Sequence, residues 1–564
     1  MTFGFFRLHI IGTELNERIT TMAIAANLIT YLVGTMHLPS TTATKIATNY
    51  AGISFLLCLF GGVITDTFLG KFRAITIFSM IQLLGTILLS LATKIPRFRL
   101  MECNTDTVPT YKCPQATEFH MGIFFTSLYI KSIGMAGVKS AVIGFGLDQF
   151  DIKNKDEKAQ LGVFYNKFLI AISIGTILAV TVVVYIQDNN GWNWMFRLCS
   201  ITGFLAILAF LSGSRKYRYK ENSGSPILQI LQVIVASLRK RKLEPVLDPD
   251  LLYENADSDL TSRINHSNQF QCLDKAAMKT NGDFESNRLT PNPWRLCSVT
   301  RVEEVKMVIR LLPIWAATIL FWTIHTQMVT FSVLQAATMD RSLGKFTVPA
   351  GSLIVFLVVA MQLTCIIYDR LIIPIRKKWG KQGFTNLQKM AIGLFFSIIT
   401  MIVASTLEMY RLSVYREHFT PGSTDTVPLT VFFLTPHLIL MGIGEAFMLT
   451  GQLDFFITQS PKGMKASSTA LFLSTLAFGC FGNSLLITIV QKATAGKDGH
   501  EGWLAETINQ GRLDYFYGLL AILCFINFGL YLLCSYWFKV HTSEISPQQQ
   551  ESVVQEASLE ETNL

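Results

Sequence analysis

The sequence predicts an all-α integral membrane protein with about twelve transmembrane helices in two groups of six. Half of the 564 residues are apolar and only 15% are charged, whereas a soluble domain carries about 25% charged residues. The apolar residues fall in long runs, and a membrane-spanning helix needs about 20 mostly apolar residues in succession. This composition leaves too little polar surface for a soluble protein of this length, which argues against a soluble enzyme.

Twelve candidate spans follow one another along the chain, and one long polar stretch separates the first six from the last six. The first six lie near 7–34, 42–65, 72–94, 118–146, 161–187 and 193–213. The last six lie near 303–336, 350–373, 386–408, 428–457, 464–492 and 514–538. We therefore expect the following parts: an N-terminal six-helix half at 1–213, a cytoplasmic central loop at 214–300, a C-terminal six-helix half at 301–540 and a disordered tail at 541–564.

Basic residues predict the orientation of the spans. Lys and Arg concentrate in the loops that follow even-numbered spans, and such residues mark the cytoplasmic side. Both termini are then cytoplasmic as well. Examples are Lys71 and Arg73 after span 2, the run at 239–242 in the central loop, and Lys462 after span 10. The net charge of +9 is explained in this way without a nucleic-acid partner.

The central loop contains one apolar segment, Pro226–Leu238, between two basic clusters. We expect an amphipathic helix that lies on the membrane surface. The alternative is a helix that packs on the cytoplasmic ends of the bundle.

Most of the ten cysteines lie inside apolar runs, where Cys behaves as a small buried hydrophobic residue. Cys103 and Cys113 differ because they flank a short polar loop. A disulfide between them requires an oxidising, non-cytoplasmic side of the membrane. Two free thiols are the alternative.

Ionisable residues inside the spans form a pattern across the two halves. Inserting each such residue into the membrane costs about 2.5–3.5 kcal/mol on insertion scales, so each is expected to have a structural or functional role. In a carrier built of two six-helix halves, span n and span n+6 are equivalent helices. The pattern therefore predicts one polar cavity between the halves. The residues are Glu14, Glu17 and Arg18 on span 1, Lys139 on span 4, His325 on span 7 and Glu445 on span 10.

Glu14, Glu17 and Arg18 are spaced i, i+3 and i+4, so they share one face of the first helix. Two carboxylates beside one guanidinium cannot both be paired with it. We expect one Glu to stay with Arg18 and the other to carry a proton. The alternative is a charge cluster at a frayed helix end that faces the lipid headgroups.

Lys139 and Glu445 are natural partners because each would be costly alone at this depth. Such a pair forms only when the two halves approach each other on one side, so we expect a gate that breaks and reforms during transport. A permanent structural salt bridge is the alternative.

His325 lies three residues after Trp322, so the two side chains share a helix face. A protonated imidazole offers two N–H donors and a positive charge, which suits a small oxyanion such as nitrate. The alternative is a neutral His that donates to a backbone carbonyl in a packed helix. Thr21, Trp322 and Gln327 are further candidates for the lining of the cavity.

Several motifs together resemble the plant nitrate/peptide transporter family, the proton-dependent oligopeptide transporter branch of the major facilitator superfamily. An ExxER element spans Glu14–Arg18, GGVITDTFLGKFR follows span 2, FGLDQFD covers Phe145–Asp151, and GQLDFFITQSPKGMK covers Gly451–Lys465. The resemblance runs from about residue 8 to residue 540. It implies a major facilitator fold and a proton-driven symporter.

The resemblance also implies roles for individual residues. Glu14, Glu17 and Arg18 would couple protons, and Lys139 and Glu445 would pair across the halves. The surroundings of His325 look most like the nitrate-carrying subgroup, in which the span 7 histidine binds nitrate. Peptide carriers have aromatic residues soon after ExxER, whereas this chain has Ile19–Met22, which weakens a peptide interpretation.

We therefore expect a carrier that imports nitrate with more than one proton. The alternatives are a proton-coupled carrier of another solute, such as a di- or tripeptide, chloride, a hormone or another organic anion, and a nitrate sensor with low flux.

An enzyme is not expected, since the sequence contains no P-loop, HExxH or metal-spaced Cys/His motif. Protons are the coupling ion, with no other cofactor and no metal. The expected partners are the anion and the lipid bilayer, with a homodimer left open. The plasma membrane is the expected location and the vacuolar membrane the alternative.

Overall fold

The computed structural model consists mainly of long helices. It describes residues 2–95, 98, 116–150, 155–219, 226–243, 252–254, 264, 266–267, 269–280, 283, 291–418, 426–459, 465–495, 502–505 and 507–543. The predicted pair Cys103 and Cys113 lies outside these residues, as does the tail from residue 544 onward.

The helices up to residue 243 correspond to spans 1 to 6 and to the apolar segment of the central loop. They are α1 (Thr2–Gly34), α2 (Ser40–Ile64), α3 (Lys71–Lys94), α4 (Glu118–Leu147), α5 (Lys155–Leu178), α6 (Val184–Asn190), α7 (Trp192–Ser212) and α8 (Pro226–Arg239). Two π-helical turns, Thr65–Leu69 and Ala179–Val183, extend α2 and join α5 to α6.

The elements after residue 243 correspond to the rest of the central loop and to spans 7 to 12. The helices are α9 (Gln271–Asp274), α10 (Val299–Arg310), α11 (Leu312–Ala337), α12 (Ile354–Ile367), α13 (Ile373–Lys378), α14 (Asn386–His418), α15 (Thr435–Gln459), α16 (Lys465–Thr494) and α17 (Leu513–Ser543). The short strands are β1 (Met339–Asp340), β2 (Ser342–Leu343), β3 (Phe346–Thr347) and β4 (Val427–Thr430); β1 pairs in parallel with β4, and β2 pairs antiparallel with β3.

The predicted spans coincide with helical segments, so the all-α membrane class is confirmed. Among the described residues, eleven helical segments are long and apolar enough to cross a membrane. Helix α1 is not one of them, since Glu14, Glu17 and Arg18 interrupt its apolar sequence. Span 7 begins earlier than predicted and is divided at Leu311 into α10 and α11. Pro313 explains the division, because proline has no backbone N–H to donate to the preceding turn.

The chain divides by its internal contacts into two compact units. The first comprises residues 1–221, 318–451 and 473–529, and the second comprises 222–317, 452–472 and 530–564. This division follows contacts rather than chain order, so the predicted boundaries at 213, 300 and 540 stay predictions.

Helix α8 packs on neighbouring segments of the second unit, a contact that the sequence analysis did not predict. Its Val233 and Ala236 are fully buried against a small core that includes Leu273, Ala276 and Val305 from α9, the following turn and α10. Leu231 and Leu238 remain exposed on α8. The central region therefore has a small hydrophobic core of its own.

Helices α3 and α4 are in direct backbone contact. A Cβ added to Gly134 of α4 would lie 2.2 Å from the backbone nitrogen of Gln82, and one added to Gly85 of α3 would lie 2.4 Å from that of Lys131. Small residues allow this approach between membrane helices, where close packing drives association. The two glycines thereby set the position of α4, which carries Lys131 and Lys139.

Two of the sequence motifs meet near one end of these helices. Lys71, in the motif after span 2, forms an ion pair with Asp148, in the motif that ends span 4. The Lys71 side chain also donates to the carbonyl oxygen of Gly144 at 3.4 Å. The contact joins the start of α3 to the end of α4.

A buried ion pair on α14 joins several elements of the first unit. The Nε and Nη2 atoms of Arg411 each donate to a Glu408 carboxylate oxygen at 2.7 Å. Gln335 also donates to Glu408 at 2.6 Å, while Arg411 donates to Asn509 at 2.6 Å and to Thr338 at 3.2 Å. Because both charges have several hydrogen bonds, the pair can be buried without leaving an unsatisfied charge.

We expect Gly134→Ala to destabilise the protein, because the added methyl group has no room against the Gln82 backbone. Overpacking of this kind costs about 1–3 kcal/mol, which should lower the unfolding temperature in detergent by several degrees. Gly122→Ala on the same helix is the matched control, since its Cβ meets nothing within 4 Å. Equal unfolding temperatures for the two variants would contradict the close approach of α3 and α4.

We expect Glu408→Leu to destabilise the protein by about 3–5 kcal/mol, because it leaves the Arg411 guanidinium buried without a carboxylate. Adding Arg411→Leu should recover part of the loss, since no unpaired charge then remains. Thermal unfolding of the two variants and the wild type measures the difference. If Glu408→Leu alone is as stable as the wild type, the pair does not stabilise the protein as we expect.

Candidate functional site

The acidic cluster of α1 is buried, as its positions on one helix face predict. Glu14 is 4% exposed and Glu17 is 1% exposed. Arg18 is close enough for its charge to act on Glu14, but no ion pair joins Arg18 to either Glu among the described residues. The expected Glu–Arg18 pair is therefore not formed in this structure.

Glu17 is linked instead to a lysine through a hydroxyl group. Thr21 Oγ1 donates to Glu17 Oε1 at 2.9 Å, and Lys131 Nζ donates to Thr21 Oγ1 at 2.8 Å. Lys131 is fully buried on α4. Thr21, expected in the cavity lining, is thus the bridge between a carboxylate and an ammonium group.

Lys131 was not among the residues predicted from the sequence. It lies inside the predicted fourth span, eight residues before Lys139, and its charge was the signal that could have identified it. Arg411 was missed because span 9 was predicted to end at residue 408, whereas α14 continues to His418. Glu408 is the last residue of the predicted span and was not singled out. The prediction that the charges within spans lie only on spans 1, 4, 7 and 10 is therefore wrong.

Lys139 lies close to the α1 cluster. Its charge acts on Glu14, and its Nζ atom is 5.5 Å from the centre of the Phe55 ring on α2. Within the described part of the chain, no ion pair joins Lys139 to Glu445. The expected pair of Lys139 and Glu445 is therefore not formed in this structure, and the gate stays a prediction.

Glu445 of α15 lies against His325 of α11. The distance between His325 Nε2 and Glu445 Oε2 is 3.3 Å, with the two side chains 20% and 14% exposed. Neither atom makes a hydrogen bond within the described residues. The Trp322 ring lies edge-on to the imidazole, with ring centres 5.6 Å apart, as the shared helix face predicts. The structure thus brings together two site residues that the sequence analysis had assigned to different roles.

The other residues predicted to line the cavity are on α11. Trp322 is 4% exposed and packs on α16, where a Cβ at Gly479 would lie 2.6 Å from its own Cβ atom. Gln327 is fully buried, and neither atom of its amide group has a partner among the described residues. The tight α11–α16 contact therefore holds the Trp322 and His325 face in position.

The helices of the two sequence halves touch at one end of the first unit. Lys45 donates to Gln491 at 3.0 Å, and Arg341 lies 3.6 Å from Asp188. Nearby, the Tyr185 and Phe346 rings stack with centres 5.4 Å apart. Counting alternate spans from α1, these residues all lie at the end opposite the start of α1. The two halves are in contact at this end.

A second charged cluster lies in the central region. His266, Asp274 and Glu303 are close enough together to bind a metal ion. The Nζ atom of Lys306, however, is 2.7 Å from both a carboxylate oxygen of Asp274 and one of Glu303. This ammonium group already pairs with both carboxylates, so we interpret the cluster as structural.

Known proteins resemble this chain over most of its length. A family model described as "PTR2: POT family" matches residues 72–504. The Arabidopsis thaliana protein "NRT1/ PTR FAMILY 6.2" is 52% identical, with 94% of this chain and 91% of that protein aligned. The Arabidopsis thaliana protein "NRT1/ PTR FAMILY 6.3" is 44% identical, covering 94% and 90%.

Solved structures share the fold at lower identity. A crystal structure of an auto-inhibited POT family peptide transporter matches with a TM-score of 0.66 and 19% identity, over 93% of this chain and 96% of that one. The POT family transporter PepTSo matches with a TM-score of 0.66 and 18% identity, over 95% and 98%. The chain has the fold of these transporters, and as a multi-pass integral membrane protein it belongs to the POT family of transporters.

Proposed function

We propose that this protein is a proton-coupled symporter that imports nitrate by alternating access. The observation that carries the proposal is the pair of His325 and Glu445, partly exposed within two membrane-spanning helices at a distance of 3.3 Å. An imidazole that can become positively charged suits a planar anion with a single charge. The carboxylate beside it supplies a competitor that the anion must displace.

Glu445 has two candidate partners, and we propose that it exchanges between them. While it lies against His325, a carboxylate occupies the position that nitrate would take. If Glu445 moves to Lys139, His325 becomes free to bind the anion. The exchange would thus link anion binding to closure between the halves. The absence of hydrogen bonds at Glu445 Oε2 and His325 Nε2 within the described residues supports a pair that separates readily.

The acidic residues of α1 would carry the protons. Glu14 and Glu17 are buried, and a buried carboxyl group can exist either as a neutral acid or as an anion stabilised by a nearby cation. With two protons for each nitrate, one net positive charge enters per cycle. The membrane potential then supplies about 2.3 kcal/mol for each 100 mV. Each pH unit adds about 1.4 kcal/mol per proton, so the gradients can drive an anion inward.

The two sequence halves are in contact at one end of the first unit, which bears on the conformation of the proposed carrier. The Lys45–Gln491 and Arg341–Asp188 contacts lie at the end opposite the start of α1. With both termini on the cytoplasmic side, as the basic loops predict, this is the outer end of the carrier, and the two halves are in contact there. The proposal locates the protein in the plasma membrane and requires no cofactor other than protons.

Nitrate should produce an inward current in cells expressing the protein at about pH 5.5, and a much smaller one at about pH 7.4, because protons are cosubstrates. His325→Ala should abolish the nitrate current. His120→Ala, at the exposed start of α4, is the matched control and should keep it. Current and isotopic nitrate uptake measured together test both points.

The same recordings distinguish other cargoes. Dipeptides, chloride or organic anions that produce current when nitrate does not would replace nitrate as the substrate. Nitrate binding without uptake would indicate a sensor instead. A nitrate current that is equal at both pH values would overturn proton coupling.

Glu445→Gln should separate binding from transport. It removes the gate partner of Lys139 but leaves the imidazole of His325, so we expect nitrate uptake to fall about tenfold or more. Nitrate binding, measured by thermal stabilisation of the purified protein, should persist in Glu445→Gln and be lost in His325→Ala. Loss of binding in both variants would show that Glu445 is part of the anion site and not a gate.

A further inference from the structure

We propose that Lys131 is a further coupling residue, connected to Glu17 by a proton relay through the Thr21 hydroxyl group. The inference rests on the proton-coupled transport proposed above. It adds a basic group and a specified path to the acidic cluster of α1. The hydrogen bonds from Lys131 to Thr21 and from Thr21 to Glu17, at 2.8 and 2.9 Å, form one unbroken chain.

The direction of the hydrogen bonds makes the relay chemically complete. A proton leaves Lys131 Nζ and bonds to Thr21 Oγ1, while the hydroxyl proton of Thr21 passes to Glu17 Oε1. The lysine becomes a neutral amine, the glutamate becomes a neutral carboxylic acid, and Thr21 remains a hydroxyl group. No charge enters or leaves, so the ion pair and the neutral pair are two states of the same buried site.

Because the site is buried, the ion pair and the neutral pair differ in free energy as the site opens and closes. Lys131 is fully buried, Glu17 is 1% exposed, and a separated pair of charges in such a place is costly. The neutral pair avoids that cost while the site is closed to both sides of the membrane. The charged pair can re-form when water reaches it. A relay of this kind moves the shared proton onto Glu17 without changing the net charge of the site.

The surroundings of the relay contain other groups that can affect its protonation. Helices α1, α2, α4 and α7 supply them. They are Glu14 and Arg18 on α1, Tyr50 and Cys58 on α2, Lys139 on α4 and Cys199 on α7. The Met135 sulfur also lies 3.9 Å from Lys131 Nζ.

The backbone of Lys131 is held in place by its contact with α3. Gly85 of α3 faces the Lys131 backbone so closely that a Cβ there would lie 2.4 Å from its nitrogen. The lysine therefore cannot withdraw from Thr21 by a shift of α4 toward α3. This contact fixes the backbone position from which the Lys131 side chain reaches Thr21.

Thr21→Val and Thr21→Ser test the relay in proteoliposomes. Valine keeps the branched shape but removes the hydroxyl group, so nitrate uptake driven by a pH gradient should fall about tenfold or more. Serine restores the hydroxyl group and should recover most of the uptake. Exchange of nitrate for nitrate at equal pH, which needs no net proton movement, should fall much less in Thr21→Val.

The lysine is tested in the same way. Lys131→Met should reduce gradient-driven uptake as Thr21→Val does, and Lys131→Arg should recover less than serine does because its guanidinium keeps its proton. Thr30→Val on α1 is the control, since its hydroxyl group bonds to the Asn27 carbonyl oxygen of its own helix. Equal losses of exchange and gradient-driven uptake in Thr21→Val would show a structural role and overturn the relay.

A measurement without nitrate separates this proposal from the proposed function. Infrared difference spectra of the protein in nanodiscs report the carbonyl band of a protonated carboxylic acid, and its loss in Glu17→Gln identifies the band of Glu17. The pH at which this band appears should differ from the wild type in Thr21→Val and Lys131→Met but not in Thr30→Val. An unchanged band in both relay variants overturns the relay, whether or not nitrate is the substrate.

Discussion

The cost of an unpaired charge among apolar helices is the constraint on which this structure depends. Membrane helices can carry an ionisable side chain only if another part of the protein compensates it. Three such groups are compensated in three ways: Arg411 by a carboxylate on its own helix, Glu17 by the Thr21 hydroxyl group and a lysine beyond it, and Glu445 by an imidazole. Each solution ties particular helices together, because the partner must lie within a few ångströms.

The degree of compensation differs between the Arg411–Glu408 pair and the His325–Glu445 pair. Arg411 and Glu408 share two hydrogen bonds, and Gln335 and Asn509 bind the remaining atoms, so any separation would expose several buried groups. Glu445 and His325 lie 3.3 Å apart with no hydrogen bond at the facing atoms within the described residues. Fewer hydrogen bonds are broken when His325 and Glu445 separate than when Arg411 and Glu408 separate. The transport cycle proposed above needs a pair of the second kind at the anion site and a pair of the first kind to hold the helices around it.

The sequence was sufficient to predict the spans and most of the charged site, and it failed where the answer depends on distances between helices. Long apolar runs identify membrane helices because the bilayer sets their length. They do not reveal that Thr21 lies between Glu17 and Lys131, since those residues belong to different helices. The limit of α14 was misjudged because Arg411 looks like the start of a loop until its partners are known. Helix α8 was expected against the membrane or the bundle, since its partners α9 and α10 begin 32 residues or more after its end.

Packing and chemistry meet in helix α4. Gly85 and Gly134 let α3 and α4 approach until their backbones touch. This contact sets the position of α4 against α3 and so the position of the lysines on α4. Lys131 then meets Thr21, and Lys139 lies near Glu14. A larger residue at either glycine would therefore act on the charged site without touching it, by moving the helix that presents the lysines. The charged residues of α1 and α4 and the small residues that pack α3 against α4 therefore depend on each other, because a buried charge tolerates no error in the position of its partner.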